Sequence, residues 1–357
     1  MAETSRVVNP EMVRLARESR GLGLKELAER VGVVPSSISR VESGLRDCSQ
    51  AMLAKLADAL GYPASFFCQS DKVYGFGVSG LFHRKFQDVP AKALHAIHAE
   101  INIRRINLER LLRGVDIMSS AIGFMDLSEF DGSVEDVART VRARWRLPHG
   151  PVSSLVAAIE EAGGIVIPFD FGTRRLDAIS EWLPGMPPLF FVNSAIPGDR
   201  QRFTLAHELA HITMHQQSPT PTLELEANRF AAEFLMPERD VRPYLDDLTL
   251  PKLAALKPHW KVSMSALLKR AGDLGAITES RAHSLWSTLS KRGYRTKEPA
   301  ELDIPQESGT LYQEIIDVHR RDLGYSVEEL AALLNLTEED TRRYYVDGLR
   351  RMRLVAQ

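Results

Sequence analysis

From Asn9 onward the apolar residues keep the spacing of short helices. Asn9-Pro10 sets a capping residue before a proline at the first helical position, and Met12, Leu15 and Ala16 begin an apolar face. Gly21 and Gly23 end that helix. Leu24–Val31 closes at Gly32, Pro35–Glu42 closes at Ser43-Gly44, and a fourth helix runs from about Gln50 to Leu60, stopped by Gly61 and Pro63. A long helix is predicted from Val89 to Val115. There Leu94, Ile97, Ile101, Leu108, Leu111 and Val115 keep near-heptad spacing.

The pattern then changes. Val134–Arg144 and Val152–Ala162 read as amphipathic helices, the second closed by Gly163-Gly164. Ile165–Ile167 reads as a short strand ended by Pro168. Ala178–Trp182 and Leu189–Asn193 read as further strands around a turn holding Gly185, Pro187 and Pro188. No Gly or Pro interrupts 202–217, and Leu205, Ala206, Leu209, Ala210 and Ile212 make that helix apolar enough to be buried. Another helix starts near Glu224 and stops at Pro237. Beyond it, Trp260–Gly272 reads as a small helical hairpin and the acidic, proline-bearing stretch 298–308 as a hinge. Residues 309–352 read as helices, with a capping box at Ser326-Val-Glu-Glu.

Composition adds bounds. The 357 residues suffice for two or three domains with real cores. A net charge of -2 names no partner for the whole chain. Between Lys72 and Arg113, however, Lys72, Arg84, Lys85, Lys92, Arg104, Arg105, Arg110 and Arg113 face only Asp88, Glu100 and Glu109. That stretch reads either as a solvated helix packed on its own chain or as a dimer helix whose basic face helps hold DNA. Cys48 and Cys68 lack metal or disulfide spacing and read as reduced thiols of a cytosolic protein. No apolar run approaches membrane-spanning length, and the N-terminus lacks a signal-peptide core. A cytoplasmic, non-membrane protein is expected, which fits poorly with a digestive peptidase.

The chemistry concentrates in Phe203-Thr-Leu-Ala-His207-Glu208-Leu-Ala-His211-Ile-Thr-Met-His215. His207 and His211 lie four residues apart, so a helix sets both imidazoles on one face, able to grip one ion. Glu208 adds a carboxylate that can serve as a base. This H-E-x-x-H pattern is that of two zinc ligands with a built-in base. A third ligand from the next helix would leave tetrahedral zinc one open position, as catalysis requires. His215 continues the row one turn on, either donating to a substrate or capping the helix.

The second helix reads Glu224-Leu-Glu226-Ala-Asn228-Arg-Phe230-Ala-Ala-Glu233-Phe-Leu-Met-Pro237. Together with H-E-x-x-H it resembles the metallopeptidase domain of the ImmA/IrrE family, with Phe234 where that pattern usually has leucine. The resemblance implies a gluzincin-like core and a Zn2+ ion held by His207, His211 and Glu224. Glu224 takes the third place because E-x-x-x-N mimics gluzincin spacing; Glu226 is the alternative. Glu208 would be the catalytic base, and Asn228 and His215 would support the ligands from behind. An edge strand beside the site, at 179–182 or 188–193, would bind an extended peptide.

Leu27-Ala28-Glu-Arg-Val31-Gly32-Val33 and Ile38-Ser39-Arg40-Val41-Glu42-Ser-Gly44 resemble the XRE/Cro-like repressor family. By that resemblance Ser36, Ser37, Ser39 and Arg40 face the major groove of double-stranded DNA or its phosphates. Leu24 and Val34 depart from the family's usual glutamine and polar cap. With a nearly balanced charge, they imply modest affinity that depends on a homodimer.

The fold class expected is thus α+β and mostly helical. Residues 1–70 form a helix-turn-helix domain, 71–118 a linker with a long basic helix, 119–245 a metallopeptidase core with a small mixed sheet, and 246–357 a helical C-terminal region. Fusion of a reader to a protease suggests a regulator that cleaves a partner repressor or antitoxin to control gene expression. The alternative is a transcription factor whose metallopeptidase fold is an inert or sensory scaffold.

Overall fold

A computed structural model describes residues 7–75, 89–115, 120–215 and 221–347. They fall into two units. One comprises the described residues of Met1–Phe76, Phe86–Ile117 and Tyr312–Gln357, the other those of Met118–Leu311. Arg84, Lys85 and Asp88 of the basic stretch lie outside the described residues.

The first unit opens with α1 (Pro10–Ser19), α2 (Leu24–Val31), α3 (Pro35–Glu42) and α4 (Gln50–Leu60). Local signals place these helices. The Asn9 side chain caps α1 and Ser49 caps α4, while Gly32 and Gly61 end α2 and α4 with φ of 74° and 64°, where a side chain would be strained. Met12, Leu15, Leu27, Ile38, Val41 and Leu56 form their shared core. Inside it, the Arg17 guanidinium donates to both oxygens of Glu42 at 2.7 and 2.8 Å.

The long helix α5 (Ala91–Leu112) packs against α1. Its apolar stripe is consumed by its own unit: Ile97, Ile101, Leu108 and Leu111 are all buried. Arg105 is buried as well, donating to the Lys72 carbonyl and to Asn102. The helix thus packs within its own unit. Among the described charges of this stretch, Arg105 is buried and Arg104 and Arg110 are partly buried, because a helix packed on several sides turns part of them inward.

The second unit is built around a three-stranded mixed sheet of order β1-β3-β2. Helices α6 (Val134–Arg144) and α7 (Leu155–Glu161) precede it. β1 (Ile165–Phe169) runs parallel and β2 (Ala178–Glu181) antiparallel to the central β3 (Leu189–Asn193). Pro168, predicted to end β1, lies inside it. The Ile165 N–H and the Phe169 carbonyl are the groups that bond toward the β3 side, so the alternate position 168 sets its missing N–H away from the ladder. α8 (Gly198–Met214) carries the histidines and packs on β2, β3 and α7. α9 (Leu223–Leu235) lies along both α8 and α6. Then come α10 (Leu250–Trp260), α11 (Met264–Asp273) and α12 (Glu279–Lys291).

The stretch read as a hinge is a strap over the start of α8. The Gly198 N–H donates to the Ile304 carbonyl, and Gln306 donates to the Ile196 carbonyl. Glu307 pairs with buried Arg202 and accepts from Ser154 Oγ and the Val156 N–H at 3.0 and 2.8 Å, which caps α7. Lys257 joins Asp199 to Glu298 at 2.6 and 2.7 Å, tying α10 to the first turn of α8.

Finally α13 (Leu311–Asp317) and α14 (Val327–Leu334) lead back into the first unit. The capping box at Ser326 and Glu329 forms as its spacing predicts. Asp340 pairs with Arg20 at 2.6 Å, and Asn107 donates to the Tyr345 hydroxyl at 2.9 Å.

Candidate functional site

α8 holds its histidines in the core of the second unit. His207 and His211 are 4% and 2% exposed, and Glu208 only 1%. Buried ionisable groups need partners, and each of these has one. The two Nε2 atoms approach to 3.1 Å. Glu224, in the first turn of α9, sets Oε2 at 3.6 Å from His207 Nε2 and Oε1 at 3.4 Å from His211 Nε2. One ligand atom from each of His207, His211 and Glu224 lies within 4.8 Å of the others. Of the two candidate glutamates, Glu224 is the one that meets this pair. Glu226 instead accepts from His215 Nε2 at 3.1 Å.

A further ring of contacts lies behind these atoms. Asn228 donates through Nδ2 to the Glu224 carbonyl at 2.6 Å, which leaves Oδ1 to face His207 Nδ1 at 3.2 Å. His211 Nδ1 meets His215 Nδ1 at 2.8 Å. His215 is the residue at the C-terminal cap of α8, and its N–H still bonds the His211 carbonyl, so the row of three histidines is kept. Burial, then the neighbouring His211 and His207, pull the His215 imidazole down to about 3, so it is neutral.

Glu208 points to β2, where the Ser180 hydroxyl donates to its Oε2 at 2.7 Å. Sequence reasoning did not single out Ser180. The available signal was period-2 alternation, which puts Ala178 and Ser180 on one face of β2. β3 is paired on both sides, whereas β2 is an outer strand among the described residues.

The donor set fits a zinc ion. Two buried imidazole nitrogens and one partly exposed carboxylate, converging, match the chemistry zinc prefers over harder ions.

In the first unit α3 turns Ile38, Val41 and Glu42 inward. Ser36, Ser39 and Arg40 are exposed and Ser37 is partly so. They lie on the outward side of the second motif helix, where the Ser43 hydroxyl donates to the Ser39 carbonyl at 2.8 Å. Val34 is 61% exposed at the start of α3, and it leaves the helix without a side-chain cap.

Residues 159–271 match the family model of the IrrE N-terminal-like domain, a peptidase family. Residues 13–67 match the helix-turn-helix model. No curated protein matches the chain. The chain therefore joins an XRE-type helix-turn-helix domain to an IrrE-like peptidase domain.

Proposed function

We propose that this protein is a DNA-binding transcriptional regulator whose peptidase domain is a zinc endopeptidase, cleaving a partner repressor or antitoxin. The observation that carries the reading is the convergence of His207 Nε2, His211 Nε2 and a Glu224 oxygen on one point. Asn228 supports it, because an amide oxygen facing His207 Nδ1 calls for a proton there and leaves the Nε2 lone pair inward.

His207, His211 and Glu224 would hold the ion. The chemistry that bound zinc supplies is Lewis acidity, toward water and toward a peptide carbonyl. Glu208 takes a proton from the attacking water and returns it to the departing amine. Ser180 donates to Oε2 of Glu208 and so fixes the orientation of that carboxylate. The outer strand β2 can take an extended peptide by strand addition, beside the glutamate.

Ser36, Ser37, Ser39 and Arg40 would meet DNA, in a homodimer that reads two half-sites. A reader attached to a protease limits where cleavage matters, which favours a regulatory substrate over bulk protein.

Metal analysis of the purified full chain tests the centre. His207→Ala or His211→Ala should abolish zinc loading, and Glu224→Gln should cost more zinc than Glu226→Gln. Full retention in either histidine variant, or the reverse order of the glutamates, would refute the assignment.

A further inference from the structure

The geometry points to Glu226 and His215 as positioning residues that hold His211 in the one tautomer able to bind metal. This inference rests on the reading of His211 as a ligand.

An ionised carboxylate only accepts hydrogen bonds. Glu226 Oε2 lies 3.1 Å from His215 Nε2, so that nitrogen carries the proton. His211 and His215 meet Nδ1 to Nδ1, so a single proton lies between them; a His211 that binds metal through Nε2 carries that proton, and His215 Nδ1 presents a lone pair. That lone pair faces His211 Nδ1 at 2.8 Å, which must then be the donor. The remaining nitrogen, His211 Nε2, is left with its lone pair, and it is the atom that faces Glu224 and His207. The opposite tautomer would set a lone pair of His215 against a carboxylate oxygen and a proton of His211 into the metal position. Glu226 therefore acts on the site through two rings without touching it. His207 has a separate support in Asn228, so the two ligand imidazoles are fixed from different sides of the site. The buried row leaves no solvent to substitute for the relay, since His211 and His215 are 2% and 4% exposed.

The test uses the full chain and zinc alone as the probe. Zinc affinity is read by competition with a chromophoric chelator, and imidazole tautomers by nitrogen-15 spectra of the metal-free and zinc-loaded protein. Metal-free wild type should show His211 protonated on Nδ1 and His215 on Nε2. His215→Phe and Glu226→Leu should each weaken zinc about 10–100-fold, the usual cost of losing a group that orients a ligand. His215→Gln should largely restore affinity, because its carbonyl can accept from His211 while its amide donates to Glu226. A generic packing defect would not be repaired by Gln over Phe, and it would not move the tautomer signal. The relay is overturned if metal-free wild type carries His211 protonated on Nε2, or if Glu226→Leu binds zinc as wild type does. Those results differ from failure of the underlying reading, in which His211→Ala itself would retain zinc.

Discussion

A buried carboxylate that must accept and release a proton needs a neighbour that holds its orientation. Ser180 and Glu208 have that relation, with the hydroxyl 2.7 Å from Oε2. Ser180→Ala removes a hydrogen bond to a charged group, worth about 1.5–3 kcal/mol. The expected result is a kcat lower by roughly ten- to a hundredfold at nearly constant KM, with zinc content unchanged. Turnover of a fluorogenic peptide cleaved by wild type would show it, and a Ser180→Ala enzyme of normal kcat would remove Ser180 from the machinery. At this scale the sequence is legible where one helix supplies both members of a pattern. His207 and His211 are four apart, and the helix period alone puts them together. Glu224 and Glu226 are harder, since residues two apart on a helix point about 200° from each other. Either could face the histidines until the approach of α9 to α8 is known. Ser180 was hidden for the same reason: its partner is 28 positions away on another element.

Among elements, the four N-terminal helices follow their local punctuation closely, because caps and left-handed glycines act within a few residues. The features the sequence did not give away are pairings across long separations. The buried Arg17–Glu42 pair is one, with side chains only 10% and 5% exposed. Breaking one partner of such a pair leaves an uncompensated charge and costs about 3–5 kcal/mol. Glu42→Gln should therefore speed amide hydrogen exchange in α1 and α3 by at least about a hundredfold, with the α8 amides unaffected. Wild-type protection in both helices would mean that the pair contributes little. The strap is the second such feature, since charge and proline content resemble a hinge until Arg202 is seen to meet Glu307. A Cβ on Gly198 would collide with the carbonyls of Ile304 and Pro305. Overpacking of this kind costs about 1–3 kcal/mol, and the exposed strap is the part that can yield. Gly198→Ala should make the chain more sensitive to limited proteolysis between residues 298 and 311. A cleavage pattern identical to wild type would show that the strap tolerates the methyl.

For the molecule as a whole, the question is whether the proposed peptidase chemistry and the proposed DNA reading serve one purpose. The side chains proposed to meet DNA, Ser36, Ser37, Ser39 and Arg40, belong to a unit distinct from the one holding Glu208. A substitution confined to the acid–base step should therefore leave DNA binding intact. Glu208→Gln keeps the shape of the side chain and can still accept from Ser180, but it cannot take a proton. Loss of a general base costs about 10²–10⁴ in rate, enough to stop turnover of a slow regulatory substrate. Zinc content and operator affinity should match wild type, and that affinity should fall steeply with salt, since phosphate contacts release counterions. A promoter reporter, read beside an immunoblot of the candidate repressor or antitoxin, then separates the two kinds of protein. If cleavage drives regulation, the Glu208→Gln protein occupies its operator, leaves the partner intact and fails to switch the promoter. Arg40→Ala should give the complementary pattern, with weak operator binding, unchanged zinc and unimpaired cleavage of the partner. A Glu208→Gln protein that switches the promoter as wild type does would instead make the zinc site a scaffold or sensor, because the one group removed is the one that only catalysis requires.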